Sequence, residues 1–153
     1  MAIQIVIEKG ARVLTACEAG HILLRAKIAL GSCPDGRKER EGDGRTPEGK
    51  YTVCTRNPQS KYHLSLGLSY PNAEDADRGY AARVITRTDR DAIAAAISQG
   101  RRPPWDTALG GFIMIPGGGA SRDWTAGCVA LEDADMDALW DISPIGTEVE
   151  IRP

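Results

Sequence analysis

Cys128 stands out from the rest of the chain because of the residues in front of it. Thr125-Ala126-Gly127-Cys128 leaves a small, permissive backbone beside the sulfur. A carbonyl compound can approach there, and the N–H groups of Gly127 and Cys128 can be aimed at a developing oxyanion. That is the equipment for acyl transfer through a thiolate. A buried structural cysteine at the start of the apolar run Val129-Ala130-Leu131 would look the same locally, so these residues alone leave both readings open. Cys17, Cys33 and Cys54 show no CxxC spacing and share the chain with only two histidines, which does not suit a zinc site. Cys17 and Cys54 read as small buried hydrophobes. Among the four thiols, Cys128 is expected to be the most reactive.

The candidate partners of that thiol are few. His63 lies in the alternating segment 61–70 and is either a substitute base or an ordinary cross-strand residue; His21 follows a turn far upstream. Asp123, Trp124 and Thr125 precede the cysteine and either shape a pocket wall or, for Trp124, plug a core. Arg45 has the fork that meets a carboxylate bidentately, and equally the fork that braces a turn. Gly117-Gly118-Gly119 lacks the Gly-Lys-Ser/Thr that completes a phosphate cradle. The acidic run 132–137 lacks the spacing and central glycine of a calcium loop. No metal and no cofactor is expected.

The elements that must position these groups follow from periodicity. The 153 residues, 42% hydrophobic and 26% charged, fit one domain over 1–153, and a net charge of -2 gives no bulk attraction to nucleic acid. Segments 2–7, 12–17, 21–30, 49–56 and 61–70 alternate or run apolar and predict strands, with a polar loop from Gly31 to Arg45. A helix is predicted over 89–99 with Thr88 as N-cap and Gly100 as its end, and a second from about Asp133. Segment 111–115 predicts a short strand leading into a flexible loop at 116–121, and 147–151 predicts a last strand. Residues 112–115 and 128–131 are expected to be neighbours in one sheet. The fold class is mostly β, or α+β, with two helices.

The ordered motifs resemble the L,D-transpeptidase catalytic domain over nearly the whole chain. Gly42-Asp43-Gly44-Arg45-Thr46-Pro47-Glu48-Gly49-Lys50-Tyr51 is similar to its entry motif. His63-Leu64-Ser65-Leu66 and Tyr70-Pro71-Asn72 are similar to its middle segment. Asp123-Trp124-Thr125-Ala126-Gly127-Cys128 resembles the subgroup whose nucleophile follows D-W-T-x-G, and Gly146-Thr147-Glu148-Val149-Glu150-Ile151 resembles the close. The resemblance implies a sandwich-like or barrel-like mixed sheet. It implies a thioester on Cys128, formed by attack on the carbonyl between an L-centre and a terminal D-residue of a peptidoglycan stem peptide and passed on to an amine or to water. It also implies that a carbapenem acylates an active thiol.

One position departs from that pattern. Where the family has a histidine before the glycine of its I-H-G segment, this chain has Pro116. An unassisted thiol with a pKa near 8.5 is only about 3% ionised at neutral pH, and positioned acid–base help is worth roughly 10²–10⁴-fold. The reading is therefore a cysteine acyltransferase or carboxypeptidase with impaired turnover; its rival is a non-catalytic module that binds cell-wall peptides. The start of the chain has no signal-peptide pattern, and no stretch approaches the ~20 apolar residues of a membrane span. The resemblance implies the periplasm or cell envelope, whereas the absent leader points to a cytoplasmic form or a trimmed chain.

Overall fold

Alternation at the amino terminus sets the first strand. In β1, Ile3–Glu8, the side chains of Ile5 and Ile7 are wholly buried while their neighbours face outward. Burial of each such side chain contributes about 1.5–3 kcal/mol. The structure, a computed structural model, describes residues 2–153. β1 turns into β2, Val13–Glu18, and β2 into β3, His21–Ala29, through Ala19 and Gly20, both at positive φ (51° and 82°). A two-residue turn with that backbone matches the twist of an antiparallel hairpin.

After the loop come β4, Gly49–Ser60, and β5, His63–Leu68; then helices α1, Ala73–Ala81, and α2, Arg87–Ser98. The last third holds β6, Met114–Pro116; β7, Ala130–Leu131; α3, Asp133–Ile142; and β8, Glu148–Arg152. The eight strands form one mixed sheet in the order β6-β5-β4-β8-β1-β2-β3-β7, with β1 and β8 parallel and the other pairs antiparallel. Its two edges curl toward each other. The N–H of Val129 donates to Met114 O at 3.0 Å and that of Gly119 to Leu131 O at 2.9 Å, so the sheet nearly closes into a barrel. Closure leaves few unpaired edge groups. Ile5, Ile7, Leu14, Ile28, Leu66 and Ile115 fill the interior, and Met136 and Leu139 of α3 pack into the same core.

The expected β-rich architecture is present, with three helices among the described residues rather than two. α1 is the unexpected one: Asn72 caps it by accepting from Asp75 N–H, and the Asp75 carboxylate accepts from the Asn72 N–H in return. α2 begins two residues before the expected Asp89, because the Thr86 hydroxyl, not that of Thr88, accepts from the Asp89 N–H at 3.1 Å. β4 runs on to Ser60, and β5 starts only at His63, since Lys61 and Tyr62 turn the chain and His63 sits at φ 74°. β6 starts at Met114 and not at Gly111 because Phe112, at φ 55°, interrupts the extended backbone.

Two anchors hold the long segments. The Lys9 side chain, 2% exposed, reaches across to the loop after β3. Its ammonium donates to Gly36 O (2.8 Å) and Thr46 O (2.9 Å) and pairs with Glu48 (3.1 Å). Loop 116–121, expected to be flexible, is held by α3: Asp133 accepts from the Gly118 N–H at 2.9 Å and Glu132 from the Ala120 N–H at 2.8 Å. No helix among the described residues is long and apolar enough to cross a membrane.

Candidate active site

The segment 123–128 crosses the seam of the barrel, held by bonds to neighbouring elements and by bonds within the segment itself. Asp123 is clamped by the Arg12 guanidinium (2.8 and 3.2 Å) and accepts from the Leu30 N–H at 2.9 Å. That cation holds the Asp123 carboxyl below its ordinary range. Asp123 therefore braces the segment against β3 rather than lining a pocket. Thr125 is 9% exposed; its N–H donates to Leu30 O. Its hydroxyl donates to Cys128 O at 2.8 Å and accepts from the Gly127 N–H at 3.1 Å.

Gly127 is required by two features at once. Its φ is 132°, and a Cβ there would stand 2.7 Å from Arg45 O. The Thr46 hydroxyl closes the turn by donating to Gly127 O at 2.7 Å. Since Thr125 occupies the Gly127 N–H, only one of the two expected oxyanion donors is open: the Cys128 N–H has no acceptor among the described residues.

Cys128 is half-buried, and its sulfur takes a place in the seam. The Met114 N–H donates to Sγ at 3.4 Å, and the thiol donates to Phe112 O at 3.5 Å. Burial pushes this thiol above its ordinary value, opposed in part by the Met114 N–H and by the charge of Lys38. All four cysteines are free. Cys33 is exposed, whereas Cys54 is pushed up to about 11 by burial.

Sγ opens onto a groove of about 400 Å³ lined by Asn57, Lys61, Ser65, Pro116, Trp124 and Thr125, among others. Pro116 and Cys128 thus share one cavity. Trp124 forms a wall: its ring packs on Tyr62 with centroids 4.9 Å apart, and its indole N–H donates to Gly119 O at 2.9 Å. His63 does not line this groove; its Nε2 donates to Asp137 of α3 at 2.5 Å, and that carboxylate raises the imidazole pKa. His21 lies exposed at the start of β3, paired with Glu18. Arg45 is also outside the groove lining; its side chain runs past Gly36, and its Nε is buried without a partner.

The sequence reading passed over Lys61, Ser65 and Asn57. A signal existed for Ser65, a polar residue between Leu64 and Leu66 in an alternating strand. Its position opposite Pro116 is a matter of sheet register that no local pattern carries.

The pattern of the YkuD family, the L,D-transpeptidase catalytic domain, matches residues 2–151. A putative L,D-transpeptidase of Escherichia coli K12, YafK, is 40% identical over 70 residues, which are 44% of this chain and 28% of that protein. An L,D-transpeptidase of Xylanimonas cellulosilytica shares the fold at 17% identity and a TM-score of 0.58, over 98% of this chain and 60% of that one. The helical cell shape determining protein Pgp2 of Campylobacter jejuni does so at 22% identity and 0.63, over 98% and 47%. The chain thus spans 28% of the curated relative and 47–60% of these two structures.

Proposed function

The chain belongs to the L,D-transpeptidase catalytic-domain family, and on that footing we propose that it transfers acyl groups of peptidoglycan stem peptides through a thioester on Cys128, slowly for want of an adjacent imidazole. The observation that carries this reading is a half-buried thiol opening onto a groove beside a backbone N–H that has no acceptor among the described residues. The thiolate attacks the carbonyl between the L-centre and the terminal D-residue, and the Cys128 N–H faces the charge that builds on its oxygen. The C–N bond then breaks, the D-amino acid leaves with a proton on its nitrogen, and the acyl group remains on sulfur. An amine or water, losing one proton, takes the acyl group and returns the thiol.

Pro116 supplies no base, and burial of the thiol disfavours the thiolate. Both effects slow the first step and leave binding intact. They favour the second reading, a module that holds the peptide without turning it over. Intact mass measured after incubation with a carbapenem separates the two. A single adduct that disappears in Cys128→Ala supports acyl transfer. No adduct on the parent chain under conditions that acylate a Pro116→His variant supports the binding module.

A further inference from the structure

The groove beside Cys128 lies on the outer face of the barrel. Leu66 of β5 and Ile115 of β6 are register partners and both wholly buried, so by the two-residue period of a strand their neighbours Ser65 and Pro116, also partners, face the other way. Ser65 is 4% exposed, lines the groove, and its hydroxyl makes no hydrogen bond among the described residues. The hydroxyl is not one of the sealed, unpartnered polar atoms of the interior, so it is reached from the groove and is free to bond to whatever enters there. At the rim stands Lys61, the one lining residue that is a full cation, with no acid partner among the described residues. Its ammonium lies 5.5 Å from the Tyr62 ring centroid, and Tyr62 in turn packs on Trp124. The groove therefore offers a positive charge and a vacant hydroxyl donor, and no anion among its lining residues faces them.

We propose that Lys61 and Ser65 form the subsite that receives a carboxylate of the bound peptide, with the Lys61 ammonium pairing with it and the Ser65 hydroxyl donating to it. This rests on the acyl-transfer reading for the identity of the ligand. It moves carboxylate recognition away from Arg45, which stands outside the groove. The two groups contribute unequally. Lys61 is exposed, so its pairing is screened by salt, whereas the enclosed Ser65 acts in a drier setting. The carboxylate has two possible sources on a stem peptide, the C-terminal D-residue and the side chain of the diamino acid.

The test is calorimetric titration of the full chain carrying Cys128→Ala, so that binding is read without chemistry. Three synthetic stem tetrapeptides serve as probes: the free acid, one amidated at the C-terminus, and one amidated at the diamino-acid side chain. Amidation at the position that occupies the subsite is expected to weaken binding about tenfold, the scale of a charge-assisted contact. Added Lys61→Ala should weaken the free acid roughly three- to tenfold at low salt, less at high salt, and erase much of the penalty of amidation. Lys61→Arg should restore it. Ser65→Ala should cost about tenfold on the free acid and little on the sensitive amide. Circular dichroism and melting curves confirm that each variant is folded. An amide penalty unchanged in both Lys61→Ala and Ser65→Ala overturns the subsite, as does failure of all three peptides to bind. A chain that binds with this preference but never forms a thioester on Cys128 keeps the subsite and loses the acyl-transfer reading.

Discussion

The backbone N–H of Met114 donates to the sulfur of Cys128 at 3.4 Å, at the place where the two edges of the sheet meet. A side-chain atom has taken a ladder position there. The thiol is thereby held by the fold itself, with its proton directed to Phe112 O, and it is raised in pKa by the same enclosure.

Labelling with limiting iodoacetamide at neutral pH should modify Cys33 before Cys128, reversing the order expected from sequence, because Cys33 is exposed and Cys128 is enclosed and raised. Cys128 modification should go on increasing with pH beyond the ordinary thiol value of about 8.5. A carbapenem should choose differently and mark Cys128, the only one of the four thiols lining the groove that holds Pro116. Peptide mapping of both reactions gives the comparison. A Cys128 labelling profile that levels off below pH 7 would show a thiolate stabilised by some group not identified in the groove.

Pro116→His should raise carbapenem acylation at least about tenfold. An imidazole in the shared cavity can take the thiol proton, a gain of roughly 10²–10⁴-fold when geometry is right. Rapid-mixing mass spectrometry, with Cys128→Ala as blank, measures it. His63→Ala should leave the parent rate unchanged, because the His63 ring is engaged with Asp137 outside the groove. A large loss in His63→Ala would restore that histidine as the base.

Thr125→Val removes a hydroxyl that serves Cys128 O and the Gly127 N–H together while keeping the side chain's shape. Two polar groups lose their partner, so stability should fall by about 1–3 kcal/mol in urea denaturation. Acylation per folded molecule should fall as well, since the turn presenting Cys128 is held by those two bonds. Unchanged acylation in the folded variant would mean that Thr46 and Gly127 fix the turn without Thr125.

The Arg12–Asp123 pair makes a pH-dependent contribution. Asp123 is depressed in the folded chain, so its share of stability is present above the ordinary carboxylate value of about 3.9 and is lost as pH falls through the lower folded value. Asp123→Asn should therefore lower the melting temperature at pH 7, with the difference from the parent closing in acid. A difference that stays constant down to pH 3 would assign the effect to packing instead of charge.

Much of this layout could be read from residue order. The hairpin at Ala19-Gly20, the start of α3 near Asp133 and the last strand all carry local signals, and the motif around Cys128 pointed to the right stretch of chain. α1 carries little local signal because Pro71-Asn72, just after the alternating segment 61–70, looks like the turn that ends a strand. In the fold Asn72 is a cap, and Gly79 is small because Leu109 packs where its Cβ would be, 2.7 Å away. The seam was legible only as an expected adjacency of 112–115 and 128–131. Its substance is two backbone bonds and a sulfur, which no hydrophobic period encodes. The same holds for the groove, whose lining combines β4, the turn before β5, β5 itself, β6 and the 124–128 segment.

Lys9 has an implication for how this domain tolerates change. By binding Gly36 O and Thr46 O with one ammonium, it ties the neck of the loop between them, and Arg45 O, which rests against Gly127, lies just inside that neck. The cost of closing a loop rises by only about 0.6 kcal/mol for each doubling of its length. Length alone is therefore not what limits change here; contact is, because Asp43 accepts from the Glu39, Arg40 and Arg45 N–H groups, the Glu41 N–H donates to Ala108 O, and the charge of the buried Lys38 acts on the Cys128 thiol. The stretch between Gly36 and Thr46 thus acts as a fitted strap, tied at its neck by Lys9 and braced within by Asp43, so a change made inside it reaches Cys128 through Lys38 and through Arg45 O.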